Sequence, residues 1–269
     1  MQKSIAIGIR LGAIVGAAAL CTGCPNPNTY GTPRTTPVGK VQHTVAAEGF
    51  RYSEDYTKRG GLADSATLPN APTYQLRVGV LDTLDIGARV ANMSSFGADV
   101  KWNFIKTDMF DLAIDPGFQV LHLGASSGGE TASFTEVYGH FPLIFGINVG
   151  DSVTIVPTAG ITLGHASTTA ADNSSGLTGA SAISSPMLRA GLGFNFRVTP
   201  KFAMQPEFTY LKVLNKDTDP AISWVIFGLG FNFGALPEYG KHEEEAPAAA
   251  PPAAAPAAAV PAPAAAPAQ

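Results

Sequence analysis

Between Val41 and Phe233 the chain repeats with a period of two. Tyr74, Leu76, Val78 and Val80 alternate with Gln75, Arg77 and Gly79, and Phe96, Ala98, Val100, Trp102 and Phe104 alternate with Gly97, Asp99, Lys101 and Asn103. Successive side chains of a β-strand point to opposite faces, so this pattern reads as strands with one apolar face. Such segments fall at 40–52, 72–81, 83–92, 96–106, 109–123, 132–149, 152–165, 186–198, 201–213 and 221–233. Alternation by itself fits a soluble sandwich or a membrane barrel. Length separates the two: most of these segments reach ten residues or more, whereas soluble strands have about 5–6 and a tilted bilayer-crossing strand needs about 9–11.

The connections point the same way. Leu81-Asp82-Thr83, Thr107-Asp108, Gly150-Asp151 and Thr199-Pro200 are tight, while Ser53–Ala71, Gly124–Thr131, His165–Ser185 and Leu214–Pro220 are longer. Short turns at one end and longer loops at the other are the pattern of bacterial outer-membrane barrels. The expected fold is all-β, an up-and-down antiparallel transmembrane barrel over 40–234, with ten strands and eight or twelve as alternatives.

The hexapeptide Gly-Leu-Gly-Phe-Asn-Phe occurs at 191–196 and again at 228–233. In strand phase its Leu and two Phe face outward, where aromatic rings build an interfacial girdle. Its Gly and Asn face inward, where small residues relieve crowding. The second copy closes the last strand, and Gly228, Leu229, Phe231 and Phe233 resemble the aromatic-ended signal by which barrel-assembly machinery recognises its clients. The ordered chain as a whole is similar to small, porin-like bacterial outer-membrane β-barrel proteins. That resemblance implies an outer-membrane location, contact with outer-membrane lipid and assembly by that machinery.

The two ends lack the period. Residues 1–23 combine Lys3 and Arg10 with an apolar run from Leu11 to Leu20, the composition of an export signal. Gly23-Cys24 followed by a Pro/Thr-rich stretch resembles a lipoprotein cleavage site, which implies lipidation at Cys24 and a flexible tether over 24–39. Ordinary cleavage after Ala17-Ala18-Ala19 is the alternative. Cys21 and Cys24 are the only cysteines, so no disulfide framework supports the fold. Residues 235–269 are nearly all Ala and Pro beyond Glu243-Glu244-Glu245, and read as a disordered periplasmic tail. At about 3.1 Å per residue its Ala/Pro stretch of about 24 residues reaches on the order of 70 Å. Extended Pro-rich chain docks readily into aromatic grooves, so the tail is the expected contact for periplasmic or envelope partners. Both termini are expected in the periplasm.

The inward phase collects a polar network. Its basic members are Arg77, Arg89, Lys101, Arg189 and Arg197; its acidic members are Glu48, Asp85, Asp99, Asp111, Asp115, Glu136 and Glu207, with His140 and Tyr138 among them. An eight-stranded barrel is about filled by its own side chains, and open channels appear near 16 strands. Ten strands then enclose a narrow lumen, lined either by an internal salt-bridge network or by a thin ion path gated by pairs such as Arg89 and Asp99. The functions that fit are a structural anchor or partner-binding component of an envelope assembly, or a narrow channel. Ten-stranded barrels include omptin-type proteases, but the acidic residues of the longer loops show no matching motif, and His122, Ser126, Ser127 and Glu130 lie too close in sequence for an esterase triad. No enzyme activity, cofactor or metal is expected. A net charge of -4 and the lack of a basic patch exclude a nucleic-acid partner.

Overall fold

The computed structural model describes residues 27–55, 64–91, 95–127, 130–169, 184–214 and 221–239. Eleven strands run in order: β1 (Val41–Asp55), β2 (Asp64–Leu81), β3 (Leu84–Ala91), β4 (Ser95–Lys106), β5 (Phe110–Ile114), β6 (Gly117–Ser127), β7 (Glu130–Val149), β8 (Val153–Thr169), β9 (Pro186–Thr199), β10 (Phe202–Val213) and β11 (Ala221–Gly234). Each pairs antiparallel with its neighbours, and β1 pairs with β11 from Gln42↔Gly234 to Asp55↔Ala221. The sheet therefore has no free edge, which is the only way for strands to satisfy their backbone within lipid.

β5 and β6 are one wall strand interrupted at Asp115-Pro116, since both lie between β4 and β7. Pro116 has no N–H to give the ladder. The break remains stitched to both neighbours: Asp115 N donates to Pro142 O at 3.0 Å, and Val100 N donates to Pro116 O at 2.9 Å. Counted this way the barrel has ten strands, as the alternation predicts.

The faces follow the sequence phase. Val80, Ile86, Val100, Leu192 and Phe227 are exposed on the outer wall, and Phe145 is half-buried there against Phe110. The opposite phase is buried. An outer surface so rich in Val, Ile, Leu and Phe is stable only in lipid; the chain is a membrane-spanning β-barrel.

The tight turns 82–83, 107–109, 150–152 and 200–201 lie at one end, together with the start of β1 and the end of β11. We call this the terminus end and the opposite one the loop end. At the loop end the sheet runs further than the sequence suggests. Ser53 pairs with Ser65 and with Ser223, Ser127 pairs with Glu130, and β8 continues to Thr169. Much of the segments expected as loops at 53–71, 124–131 and 165–185 is thus paired strand. Ser, Thr and Ala carry little apolar contrast, so their alternation is invisible although the ladder holds them.

Candidate functional site

The lumen is occupied by the chain's own N-terminal segment. Residues 27–37 carry no strand ladder, yet Asn28, Thr29, Tyr30, Thr32, Arg34 and Thr36 are all buried. The expectation of a flexible tether over 24–39 is therefore corrected for residues 27–37. Its main-chain polar groups are met by side chains of the wall, which is what buried irregular backbone requires. Glu207 accepts the N–H groups of Thr29 at 2.8 Å and Tyr30 at 2.7 Å. Gln205 donates to Gly31 O, Lys101 donates to Thr32 O and Arg34 O, and Asn103 donates to Pro33 O. Asp85 accepts Thr36 N at 2.9 Å.

Two side chains anchor the segment. Tyr30 has φ +46°, a left-handed conformation costing an L-residue roughly 1–2 kcal/mol. That bend delivers its ring against Gly228 and Gly230 and its hydroxyl to Glu48, 2.7 Å away. Burial, with Glu48 and Glu207 beside it, pushes the Tyr30 phenol well above its ordinary pKa, so it stays a donor. Arg34 donates from Nε to Asp111 at 2.9 Å, from Nη2 to Thr107 O at 2.7 Å and from Nη1 to Glu238 O at 2.6 Å. It also lies 4.3 Å from the centre of the Tyr239 ring, which Arg197 approaches to 4.6 Å; Arg197 donates to Pro237 O. Residues 236–239 thus close over the terminus end, and the expectation of a tail disordered from 235 is corrected to one anchored at least through Tyr239. The rest of the tail lies outside the described residues, as do Cys24 and the export signal.

Behind the segment, Arg77 gathers three carboxylates, Asp85, Asp99 and Asp115, and Lys101 reaches Asp85 at 3.3 Å. Five of the expected network residues thus form one buried cluster. Arg77 is an ion-pair partner of Asp99; Gly87, opposite Asp99 in the β3–β4 ladder, leaves the space that the carboxylate fills. Arg89 lines a small cavity shared with Asp99, Asp115, His140, Arg189 and Pro27. Arg189 lies 4.0 Å from Glu207. Glu136 accepts from the Tyr138 hydroxyl, and the Tyr138 ring stacks on His140 with centroids 6.3 Å apart. Asp111 pairs with Arg34, a residue of the expected tether.

Toward the loop end the inward face turns apolar. Phe50, Met187, Leu211, Val213, Trp224 and Ile226 pack with Tyr138 into a buried cluster. The lumen is therefore divided: its terminus half is polar and filled by the segment, and its other half holds an apolar layer. The two hexapeptide copies keep the expected phase, with Leu192, Phe194, Phe196, Leu229 and Phe233 exposed, Phe231 half-exposed, and Asn195 and Asn232 buried. They differ inside. Gly193 faces Gln205, whereas Gly228 and Gly230 form the slot for Tyr30. No group of three metal-ligating side chains occurs among the described residues.

No family model matches the chain, and no curated protein matches it. Solved structures with a similar trace are bacterial outer-membrane barrels. The outer membrane protease OmpT from Escherichia coli aligns with a TM-score of 0.44 and 10% identity over 74% of this chain and 98% of that one. The COG4313 outer membrane channel from Pseudomonas putida F1 aligns at 0.41 and 11% identity, over 78% and 100%. Neisserial surface protein A aligns at 0.35 and 12% identity, over 71% and 96%. These proteins include a protease, a channel and a surface protein.

Proposed function

We propose that this protein is a sealed outer-membrane barrel that anchors an envelope assembly, with both termini periplasmic and residues 240–269 reaching partners from the barrel mouth. The observation that carries the reading is the double filling of the lumen. The N-terminal segment occupies the terminus half and an apolar cluster occupies the other. Ten strands leave little room beyond such a filling. The short turns, shared with the start of β1 and the end of β11, match the periplasmic side of outer-membrane barrels, and the Tyr239 contacts hold residues 236–239 at that mouth. No catalytic role is assigned to any residue.

The test is truncation after Gly240. The shortened protein is expected to fold and insert, seen as unchanged heat-dependent gel mobility, and to lose its crosslinked periplasmic or inner-membrane partners. Recovery of the same partners without the tail would sink the anchor reading. A bilayer recording of the full chain is expected to be silent; steady porin-sized steps would move a narrow channel into first place.

A further inference from the structure

We propose that the lumen wall is a binding site for an extended peptide of the pattern Tyr-x-x-Pro-Arg, occupied in cis by Tyr30-Gly31-Thr32-Pro33-Arg34. This inference does not depend on the tail or on the anchor role. The contacts have the form of receptor and ligand. The segment forms no strand, and its one ladder contact with the wall is the isolated bridge Val38↔Gly79. What holds it is a set of wall side chains reading peptide groups in series: Glu207 takes two N–H groups, while Gln205, Lys101 and Asn103 serve the carbonyls of the four residues 31–34. Main-chain reading of this kind supplies affinity, and side-chain pockets supply specificity.

Three wall features set the pattern. Gly228 and Gly230 leave an aromatic slot, since a Cβ at Gly230 would lie 2.7 Å from Tyr30 Cδ1 and one at Gly228 would overlap the hydroxyl. Gly146 leaves room for the proline, because a Cβ there would lie 2.9 Å from Pro33 Cγ. Asp111, itself fully buried, meets the guanidinium. The left-handed backbone at Tyr30 belongs to the same design: a non-glycine residue holds that conformation only where its surroundings impose it. A peptide of this pattern, presented from the terminus end, would compete with residues 27–37 for the same groups.

The experiment uses the full chain refolded in detergent micelles, with both anchors weakened by Tyr30→Ala and Arg34→Ala. The probe is a synthetic peptide of residues 27–37 with a C-terminal fluorophore, followed by anisotropy. Saturable binding is expected, at least tenfold tighter to the double variant than to the unaltered chain, whose own segment competes. Adding Gly230→Val to the double variant is expected to weaken binding at least tenfold, and a peptide with Ala at the Tyr and Arg positions is expected not to bind. Access of an impermeant maleimide to Thr29→Cys, with Cys21 and Cys24 changed to Ser, reports whether the cis segment has left. If residue 29 becomes accessible in the double variant and the peptide still fails to bind, the proposal is overturned. If residue 29 stays protected there, Tyr30 and Arg34 do not hold the segment, and the proposal is equally overturned.

Discussion

Gly230 and Tyr30 are in contact across 200 residues of sequence: a single added Cβ on the glycine would fall 2.7 Å from the ring. The hexapeptide that contains Gly230 recurs at 191–196, so a matched comparison is available. Gly230→Ala is expected to unseat the segment, at a cost of about 1–3 kcal/mol for overpacking. Gly193→Ala meets nothing nearer than the end of the Gln205 side chain at 3.3 Å, with Glu207 Cγ and Pro206 O at an ordinary 3.6 Å, and is expected to leave the segment seated. Limited proteolysis of folded barrels checks both; equal protection of residues 27–37 in the two variants would refute the slot.

Arg77→Met is expected to be the most destabilising single change in the wall. It leaves Asp85, Asp99 and Asp115 buried without their shared guanidinium. Removing one partner of a buried ion pair costs about 3–5 kcal/mol. Urea unfolding followed by tryptophan fluorescence measures the loss, and a change under about 1 kcal/mol would mean that Lys101 alone balances the cluster.

Val100→Arg puts a charge on the exposed outer wall. The expected penalty is about 2–4 kcal/mol at the bilayer midplane, seen as failed insertion or reduced heat stability. Unchanged assembly would show that this face does not meet lipid.

The closure of residues 236–239 over the mouth is expected to weaken in alkali. Burial pushes the Tyr239 phenol from 10.0 up to about 12. A raised folded-state pKa favours the neutral phenol, so its contribution is fully present below pH 10 and is lost as pH rises through about 12. Crosslinking between cysteines placed at Glu238 and Thr107 reports the closure, and Tyr239→Phe is expected to abolish the step between pH 10 and 12.

The wall was legible because a two-residue period survives any tertiary context that buries one face of a strand. The spans, the ten-strand count and the lipid-facing side all follow from it. The lumen segment was not legible, because Pro27–Pro37 has neither period nor apolar residues beyond Tyr30, and its partners lie up to 204 residues away. One signal pointed to it. The inward faces carry seven acidic residues, Glu48, Asp85, Asp99, Asp111, Asp115, Glu136 and Glu207, against five basic ones. That surplus asks for donors from outside the wall, and Arg34 and the amides of Thr29, Tyr30 and Thr36 are those donors. The apolar layer was missed for a different reason. Trp224 and Ile226 face inward at the loop end beside the equally apolar Val225 and Phe227, so the contrast between faces vanishes there, and at Leu211 and Val213 the outward Lys212 inverts it.

The Tyr30 slot is built from β11, the last strand in the chain, while its occupant precedes the first. The slot cannot exist until β11 has been laid against β1, so the segment that is synthesised first is the last to find its place. A barrel stalled one strand short would carry its N-terminal segment outside, in reach of proteases and of any modifying enzyme. Protection of Tyr30 is thus a record, written at one end of the molecule, that assembly at the other end is complete.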